Sequence, residues 1–455
     1  MKRVGKSVFF VVSLLIVALT LLAFFGVSSQ YGDRVDTYIK GADSIRWGID
    51  IRGGVEVTFT PPAEYDATDD QLNAAKAVIE QRLVNNNITD YELYVDYSKD
   101  RVILRFPWKE DETDFDPEAA IAELGETAQL SFVKGTASTG EVIITGDDVE
   151  KATAFYNSED AQYGVSLQLK DSGKEAFGEA TTAMAGTGEY ISIWMDETNI
   201  STATVQAAIT DGNASITGNF TAESAQELAN KINSGALPFA LETSDYSVVD
   251  PTLGNEAKNV MLMAGVIAFL CISVFICAVY RLPGVVAVIS LLGQFTGMLI
   301  ALTGFFPFVP SFTLTLPGIA GIILSLGMGV DANIITSARI KEELESGKSL
   351  DGSISLGYDR AFTAVFDGNL TLMIVAVILM GAFGPSDSFF AKVLSPLFFV
   401  FGTSATGEIY SFGYTLLVGA IMNFIFGVTA SRLMLKSLSG FKALRKRTLY
   451  GGENQ

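Results

Sequence analysis

Between residues 7 and 27 the chain reads SVFFVVSLLIVALTLLAFFGV, a run of 21 positions without a charged side chain. Roughly 20 apolar residues let a helix cross a bilayer, so this run predicts a membrane span. Comparable runs return only after residue 258, at about 260–280, 284–306, 312–336, 361–383 and 411–431. The pattern predicts six transmembrane helices, the first over 1–27 and five more within 258–436, followed by a basic tail over 437–455. A cleaved signal peptide has an apolar core of roughly 7 to 15 residues, and the longer first run predicts a retained anchor.

The segment between the first and second spans, 28–257, has the mixed periodicity of a folded domain. RWGIDIRGGVEVTFTPP (46–62) alternates β-formers around Gly53-Gly54 and reads as a turn feeding a strand. TDDQLNAAKAVIEQRLVNNN (68–87) has an acidic start and places Leu72, Ala75, Ile79 and Leu83 at helical spacing. YELYVDY and RVILRFP flank SKD as a hairpin, DPEAAIAELGET reads as a helix, and AQLSFV reads as a strand. That order, strand, helix, two strands, helix, strand, predicts an α+β domain with a ferredoxin-like (split βαβ) base. A Gly/Thr/Ser-rich stretch opens a less regular region, expected to be an inserted head over about 135–200. ASITGNF, TAESAQELANKINSGA and PFALET then resemble a second set of base elements, so the base is expected over 45–134 and 201–257. Tyr156, Tyr163, Trp194 and Met195 of the insertion either contact an extended polypeptide or fill a small core.

Composition supports the membrane reading, because 49 % hydrophobic residues, with 31 Phe and 43 Gly, is too apolar for an ordinary soluble enzyme. The net charge of −20 conceals an asymmetry: 28–257 carries 41 acidic against 15 basic residues, and the rest 10 against 16. Lys2, Arg3, Lys6, Arg281, Arg339, Lys341, Arg432, Lys436 and the KALRKR of 442–447 lie at alternate span ends. By the positive-inside rule both termini are cytoplasmic and the acidic domain is extracytoplasmic. Both cysteines, Cys271 and Cys277, fall in the second span, which leaves the domain without a disulfide. There is no histidine, so proton chemistry near neutral pH falls to carboxylates. No Walker loop, dinucleotide fingerprint, metal-ligand cluster or nucleophile elbow occurs, and neither an enzyme nor a cofactor, metal or nucleic-acid binder is expected.

A charge near the bilayer centre costs about 2.5 to 3.5 kcal/mol on insertion scales, so intramembrane carboxylates usually face a bundle interior and carry function. Asp331 in the fourth span and Asp367 in the fifth are two such groups, each followed at the second position by an asparagine, Asn333 and Asn369. Counted from Arg339 and Arg360 at ~1.5 Å per residue, both carboxylates lie at similar depth, about 12 and 10 Å. They read either as one titrating layer or as groups that bond a neighbouring helix or sit at the interface. Pro317, Gly321, Ser325, Gly329 and Asn333 form a small-residue stripe for helix packing, with Asp331 on another face above Gly327. Pro317 is expected to remove a backbone hydrogen bond within this span and permit bending. Asn423 in the sixth span reads as interhelical glue.

Three segments together resemble the SecD family of Sec translocase subunits: WGIDIRGGVEVTF, ITGNFTAESAQELANKINSGALPFAL and PGIAGIILSLGMGVDANIITSARIKEEL. They occur in the family's order over most of the chain. The resemblance implies an RND-type half-transporter of six spans with a large extracytoplasmic domain, in the bacterial cytoplasmic membrane. It implies a SecF partner as a separate chain, work at the SecYEG channel after SecA, exported unfolded polypeptides as clients, and the proton motive force as energy source. Asp331 matches the family's Val-Asp-Ala-Asn motif, Asp367 and Asn369 its polar pair in the fifth span, and Asp50, Arg52, Gly53 and Gly54 its first signature, expected to define the fold. Asn233 stands where many members have arginine, with Lys231 nearby, and 381–410 is longer than the usual connection, its Phe-rich part expected to be an interfacial or re-entrant helix. An RND-class half-transporter exporting lipid or small molecules, and a membrane-anchored binding protein, are the other classes open to this sequence.

Overall fold

The computed structural model describes residues 4–32, 34–85, 88, 90–107, 117–157, 162–196, 198–235, 237–249, 251–309, 311–384, 388–398 and 407–452. They form two compact units, one of residues 1–54 with 249–455 and the other of residues 55–248. The domain is thus bounded more tightly than 28–257, because residues 28–54 and 249–257 belong with the helices.

Among the described residues of the first unit, six helices are long and apolar enough to cross a membrane: Val8–Phe25, Glu256–Tyr280, Leu282–Thr303, Leu316–Glu345, Leu350–Phe383 and Gly407–Leu438. The third is the most enclosed, with 61 % of its most apolar window buried against 11 % and 6 % for the first two. The third span packs against the first, second, fourth and sixth, and the first two spans have few fully buried residues. The fourth and fifth spans outrun their expected ends because polar turns continue both helices into a hairpin. Buried Glu343 holds this hairpin together, accepting hydrogen bonds from Lys348 and Arg360.

The fourth span starts where Thr315 accepts a hydrogen bond from Gly318 N at 3.2 Å, with Pro317 in the first turn. Pro317 therefore costs no internal hydrogen bond, because first-turn N–H groups have no helical partner, and the expected bend is corrected. The sixth span is not uniform: Asn423–Ala430 is a widened π-type segment between α-helical parts. The sequence pattern predicts no element between 28 and 45, yet Val27–Tyr31 and Arg34–Ile39 pair as an antiparallel hairpin. In the 381–410 connection, Phe389–Phe398 is helical, and residues 385–387 and 399–406 lie outside the described residues.

The second unit contains a base and a head. The base sheet has the order Glu242–Val249, Gly54–Thr60, Arg101–Pro107, Glu92–Asp96. Helix Asp69–Asn85 covers it, with Leu72, Ala75, Ile79 and Leu83 buried against Val55, Val57, Phe59, Val102 and Leu104. The fourth strand differs from expectation. AQLSFV falls largely in Leu130–Lys134, which joins a separate sheet with Tyr190–Met195, Thr198–Thr204 and Val142–Thr145. Glu242–Val249 takes its place, so PFALET is mostly the approach to a strand rather than the strand itself.

The head is also larger than 135–200, since one core joins Ala128 to Ile232. Asn213–Phe220 pairs with Gln162–Leu169, and helix Ala222–Ser234 buries Ala225, Leu228, Ala229 and Ile232 in that core. ASITGNF and the following helix are therefore head elements, and their likeness to the base set is one of local pattern only. Arg82 ties the two parts together. Its buried guanidinium donates to the carbonyls of Leu124 at 2.8 Å, Glu126 at 2.5 Å and Gly235 at 3.5 Å, and burial lowers its pKa from the usual arginine value.

Candidate functional site

The small-residue stripe of the fourth span is a packing face. A Cβ on Gly321 would fall on Thr415 and Phe412 of the sixth span, and one on Gly329 on Gln294 and Leu291 of the third. Ser325 lies against Gly419 and donates to the carbonyl of Ile322 at 2.9 Å. Gln294 spans the gap between helices, donating to the carbonyls of Ser325 at 2.9 Å and Gly419 at 3.3 Å. Glycine and serine let these backbones approach closely enough for a third-span side chain to bond two other helices.

Further along this face a buried amide layer connects the fourth, fifth and sixth spans. Ser431 Oγ donates to Asn333 Oδ1 at 3.1 Å and lies 2.7 Å from the Tyr358 hydroxyl. Asn423 Nδ2 donates to Asn369 Oδ1 at 3.1 Å. Asn423 and Ser431 stand at the two ends of the widened segment of the sixth span, which brings one to the fifth span and the other to the fourth. Such π-type turns are frequent at functional positions. The segment has no composition signal beyond Asn423 and Gly427, so sequence reasoning misses it. A Cβ on Gly427 would collide with Asn423 Oδ1.

The two carboxylates point elsewhere. Asn333 and Asn369 are buried, whereas Asp331 and Asp367 are exposed on the surface of the chain. A Cβ added to Gly327 or Gly368 would meet no neighbouring atom of the described residues within 4 Å, so the surroundings of both carboxylates are open among them. Their relative level follows from the contact of Gly357 with Ile340 in the antiparallel pair of fourth and fifth spans. Nine residues separate Asp331 from Ile340 and ten separate Gly357 from Asp367, so at ~1.5 Å per residue the carboxylates lie roughly 14 and 15 Å from that contact.

At the opposite end of the fourth span sits the first signature. Ile49–Arg52 is a single helical turn rather than the approach to a strand, ended by Gly53 at φ 74° and Gly54 at φ 158°, values that favour glycine. Asp50 Oδ2 accepts a hydrogen bond from Leu316 N, the first residue of the fourth span. A carboxylate there satisfies a free N–H and complements the positive end of the helix dipole. Arg46–Trp47 pairs in parallel with Thr313–Leu314, Gly48 N donates to Leu314 O at 2.9 Å, and Ile51 is fully buried with Leu302, Leu314 and Ile319. The Lys258 ammonium lies 5.1 Å from the Trp47 ring centroid. Arg52 closes the turn next to the glycine pair.

Outside the bundle, Asn233 uses its amide as a strand would, accepting from Ala152 N at 2.7 Å and donating to Ala152 O at 2.8 Å. Lys231 instead pairs with Glu126 at 2.7 Å. Met195 is buried in the head core and Tyr163 packs against it, while the Trp194 indole donates to Ser192 Oγ at 2.8 Å. Tyr156 alone of the four is substantially exposed, tilted against Tyr163 with ring centroids 4.9 Å apart.

A unit with six helices long and apolar enough to cross a membrane, and a β-rich domain between the first and second of them, has the form of a multi-pass membrane protein. Two family models match in succession: "SecDF, P1 head subdomain" over residues 127–239 and "Protein export membrane protein SecD/SecF, C-terminal" over residues 230–428. A protein translocase subunit SecD from Acidaminococcus fermentans is 33 % identical over 90 % of this chain and 89 % of its own length. A namesake from Leptotrichia buccalis is 34 % identical over 90 % and 93 %. The crystal structure of SecDF from Thermus thermophilus, described as a translocon-associated membrane protein, aligns with a TM-score of 0.60 at 26 % identity. That alignment covers 95 % of this chain and 59 % of the solved one, so the chain spans about three fifths of that SecDF. The chain belongs to the SecD family of protein translocase subunits.

Proposed function

We propose that the chain is the Sec translocase subunit that uses the proton motive force to drive late steps of polypeptide export across the bacterial cytoplasmic membrane. It acts after SecA has inserted the polypeptide through SecYEG, with SecF as a separate companion chain, and is not itself an enzyme. Both termini and the basic helix ends are cytoplasmic, and the acidic β-rich domain meets the emerging client. Asp331 is the principal proton acceptor and Asp367 the second, with Asn333 and Asn369 as supporting polar groups.

The observation that supports this reading most is the separation of the amides from the carboxylates. Asn333 and Asn369 are consumed in holding three helices together, while Asp331 and Asp367 at the same level remain open to a companion helix or a water path. An ionised carboxylate facing hydrocarbon is costly, so the open pair calls for a partner surface that supplies protons or counter-charges. Moving one charge through 100 mV releases about 2.3 kcal/mol, enough to bias a bistable bundle. Asp50 gives such a bias a route outward: it grips the first turn of the Asp331-bearing helix, and four residues later the chain becomes strand Gly54–Thr60.

The test is an export assay in inverted vesicles containing the chain with its companion, across an imposed proton gradient. Asp331→Asn is expected to abolish the gradient-dependent increment and leave ATP-driven insertion intact. An intact increment in this variant defeats the proton-relay reading. A normal secretion profile in cells lacking the chain, with accumulation of a lipid or small molecule, supports a half-transporter instead.

A further inference from the structure

Basic residues gather where the start of the first span meets the end of the sixth. No acidic residue occurs in 1–32 or in 409–452, while 432–447 alone carries six lysines and arginines. Ser437 fastens the two ends together: its hydroxyl lies 2.8 and 2.9 Å from the carbonyls of Gly5 and Lys6 and accepts a hydrogen bond from Phe9 N at 3.0 Å. The Lys6 stem then lies along the turn that follows the sixth span, where a Cβ on Gly440 would be 3.3 Å from Lys6 Cγ. Its ammonium is 5.7 Å from the Phe441 ring centroid, within range of a cation–π contact. Phe441 in turn meets Phe10 of the first span edge-on, with ring centroids 6.0 Å apart.

Several cations at this end of the bundle already have acidic partners: Arg445 meets Asp351 at 2.5 Å, Arg432 meets Asp359 at 2.7 Å, and Lys348 and Arg360 share Glu343. Lys6 and Lys442 differ from these. Both are exposed, and neither has an ion pair or a side-chain hydrogen bond among the described residues. Beside them Phe10, Leu14, Val17 and Leu21 recur at helical spacing on one face of the first span, and all four are exposed. Two unanswered ammonium groups therefore stand at the head of an apolar row that runs down a membrane-spanning helix, with the Phe10–Phe441 pair at the junction.

We propose that this junction binds an anionic membrane phospholipid of the phosphatidylglycerol type, in the leaflet that adjoins the basic helix ends. The phosphate lies at Lys6 and Lys442, and an acyl chain runs along Phe10, Leu14 and Val17. Lysines next to a membrane span attract anionic headgroups. A zwitterionic headgroup brings an ammonium for which neither joined segment supplies a carboxylate, and Asp351, which the tail does reach, is held by Arg445 and Ser439. A free phosphate leaves the apolar row unused. The first span has few buried residues, so a lipid shared between it and the tail adds to a thin set of contacts. The lipid is a structural ligand outside the proton path, and its binding is read without any export assay.

The test uses the full chain, purified in mild detergent and titrated with phosphatidylglycerol, phosphatidylethanolamine or inorganic phosphate, with bound species counted by native mass spectrometry. Phosphatidylglycerol is expected to stay bound where phosphatidylethanolamine is lost. Lys6→Gln combined with Lys442→Gln should lower phosphatidylglycerol retention roughly thirtyfold, the factor for two lysines at an anionic surface, with phosphatidylethanolamine retention and the thermal unfolding midpoint unchanged. Lys99→Gln combined with Lys151→Gln removes the same charge from the β-rich domain and should leave retention as it is. Equal retention of the two lipids, no retained lipid, or full retention of phosphatidylglycerol by the Lys6/Lys442 variant overturns the site. An equal loss in the Lys99/Lys151 variant shows attraction to overall charge and overturns it as well, and full displacement by inorganic phosphate overturns the lipid assignment.

Discussion

Gly327 and Gly329 stand two residues apart on one helix and meet opposite surroundings: a Cβ on Gly329 would collide with Gln294 Oε1, and one on Gly327 would meet nothing within 4 Å among the described residues. The Gly329 face is built to hold helices together. The Gly327 face, which carries exposed Asp331, is open among the described residues. Small residues in a membrane helix therefore serve two separate purposes here, close approach on one side and clearance around a carboxylate on the other. Stability and proton handling should be separable by mutation, although the residues concerned are neighbours.

The harshest way to break that separation is Gly329→Leu, which drives a side chain into Gln294 and Leu291. Overpacking of this kind costs about 3 kcal/mol, and we expect loss of the folded bundle on detergent unfolding, with export lost as a consequence. Asp331→Asn should do the reverse, leaving the unfolding midpoint in place while gradient-driven export falls about tenfold or more, the equivalent of at least 1.4 kcal/mol in coupling. Asp50→Ala should give an intermediate result: loss of the cap costs about 1 kcal/mol, and gradient-driven export falls more than unfolding stability does. Hydrogen exchange across 46–60 should then become insensitive to a simultaneous Asp331→Asn change. Smallest of all is Gly327→Ala, expected to leave unfolding within about 0.5 kcal/mol and export unchanged. A large defect there would show that the open face is filled by a tightly packed companion.

The two faces of the fourth span differ in how they can be read from the sequence. Spacing at every fourth residue is enough to find the Gly321-Ser325-Gly329-Asn333 stripe, because helix geometry alone fixes which side chains share a face. The apolar runs likewise locate the six spans, since bilayer thickness dictates their length. Strand partnership is less accessible: AQLSFV and Glu242–Val249 have similar strand-forming character, and only the tertiary core decides which one joins the base sheet. The Asn423–Asn369 and Ser431–Asn333 bonds depend on a widened turn that leaves no regular trace in composition. Asp50 is visible as part of a signature, but its partner Leu316 is 266 positions away and offers only a backbone N–H. Backbone donors have no sequence identity, so no reading of residue types can pair them.

The widened segment Asn423–Ala430 behaves like a dislocation in a crystal lattice. It stores one surplus step of helical phase between two otherwise regular stretches, and that surplus lets Asn423 and Ser431 address different neighbours at once. A dislocation can glide, exchanging wide hydrogen bonds for ordinary ones a residue at a time, without melting the lattice on either side. The sixth span is thus a screw with a built-in phase error, and the error is what keeps its two ends in register with two different helices.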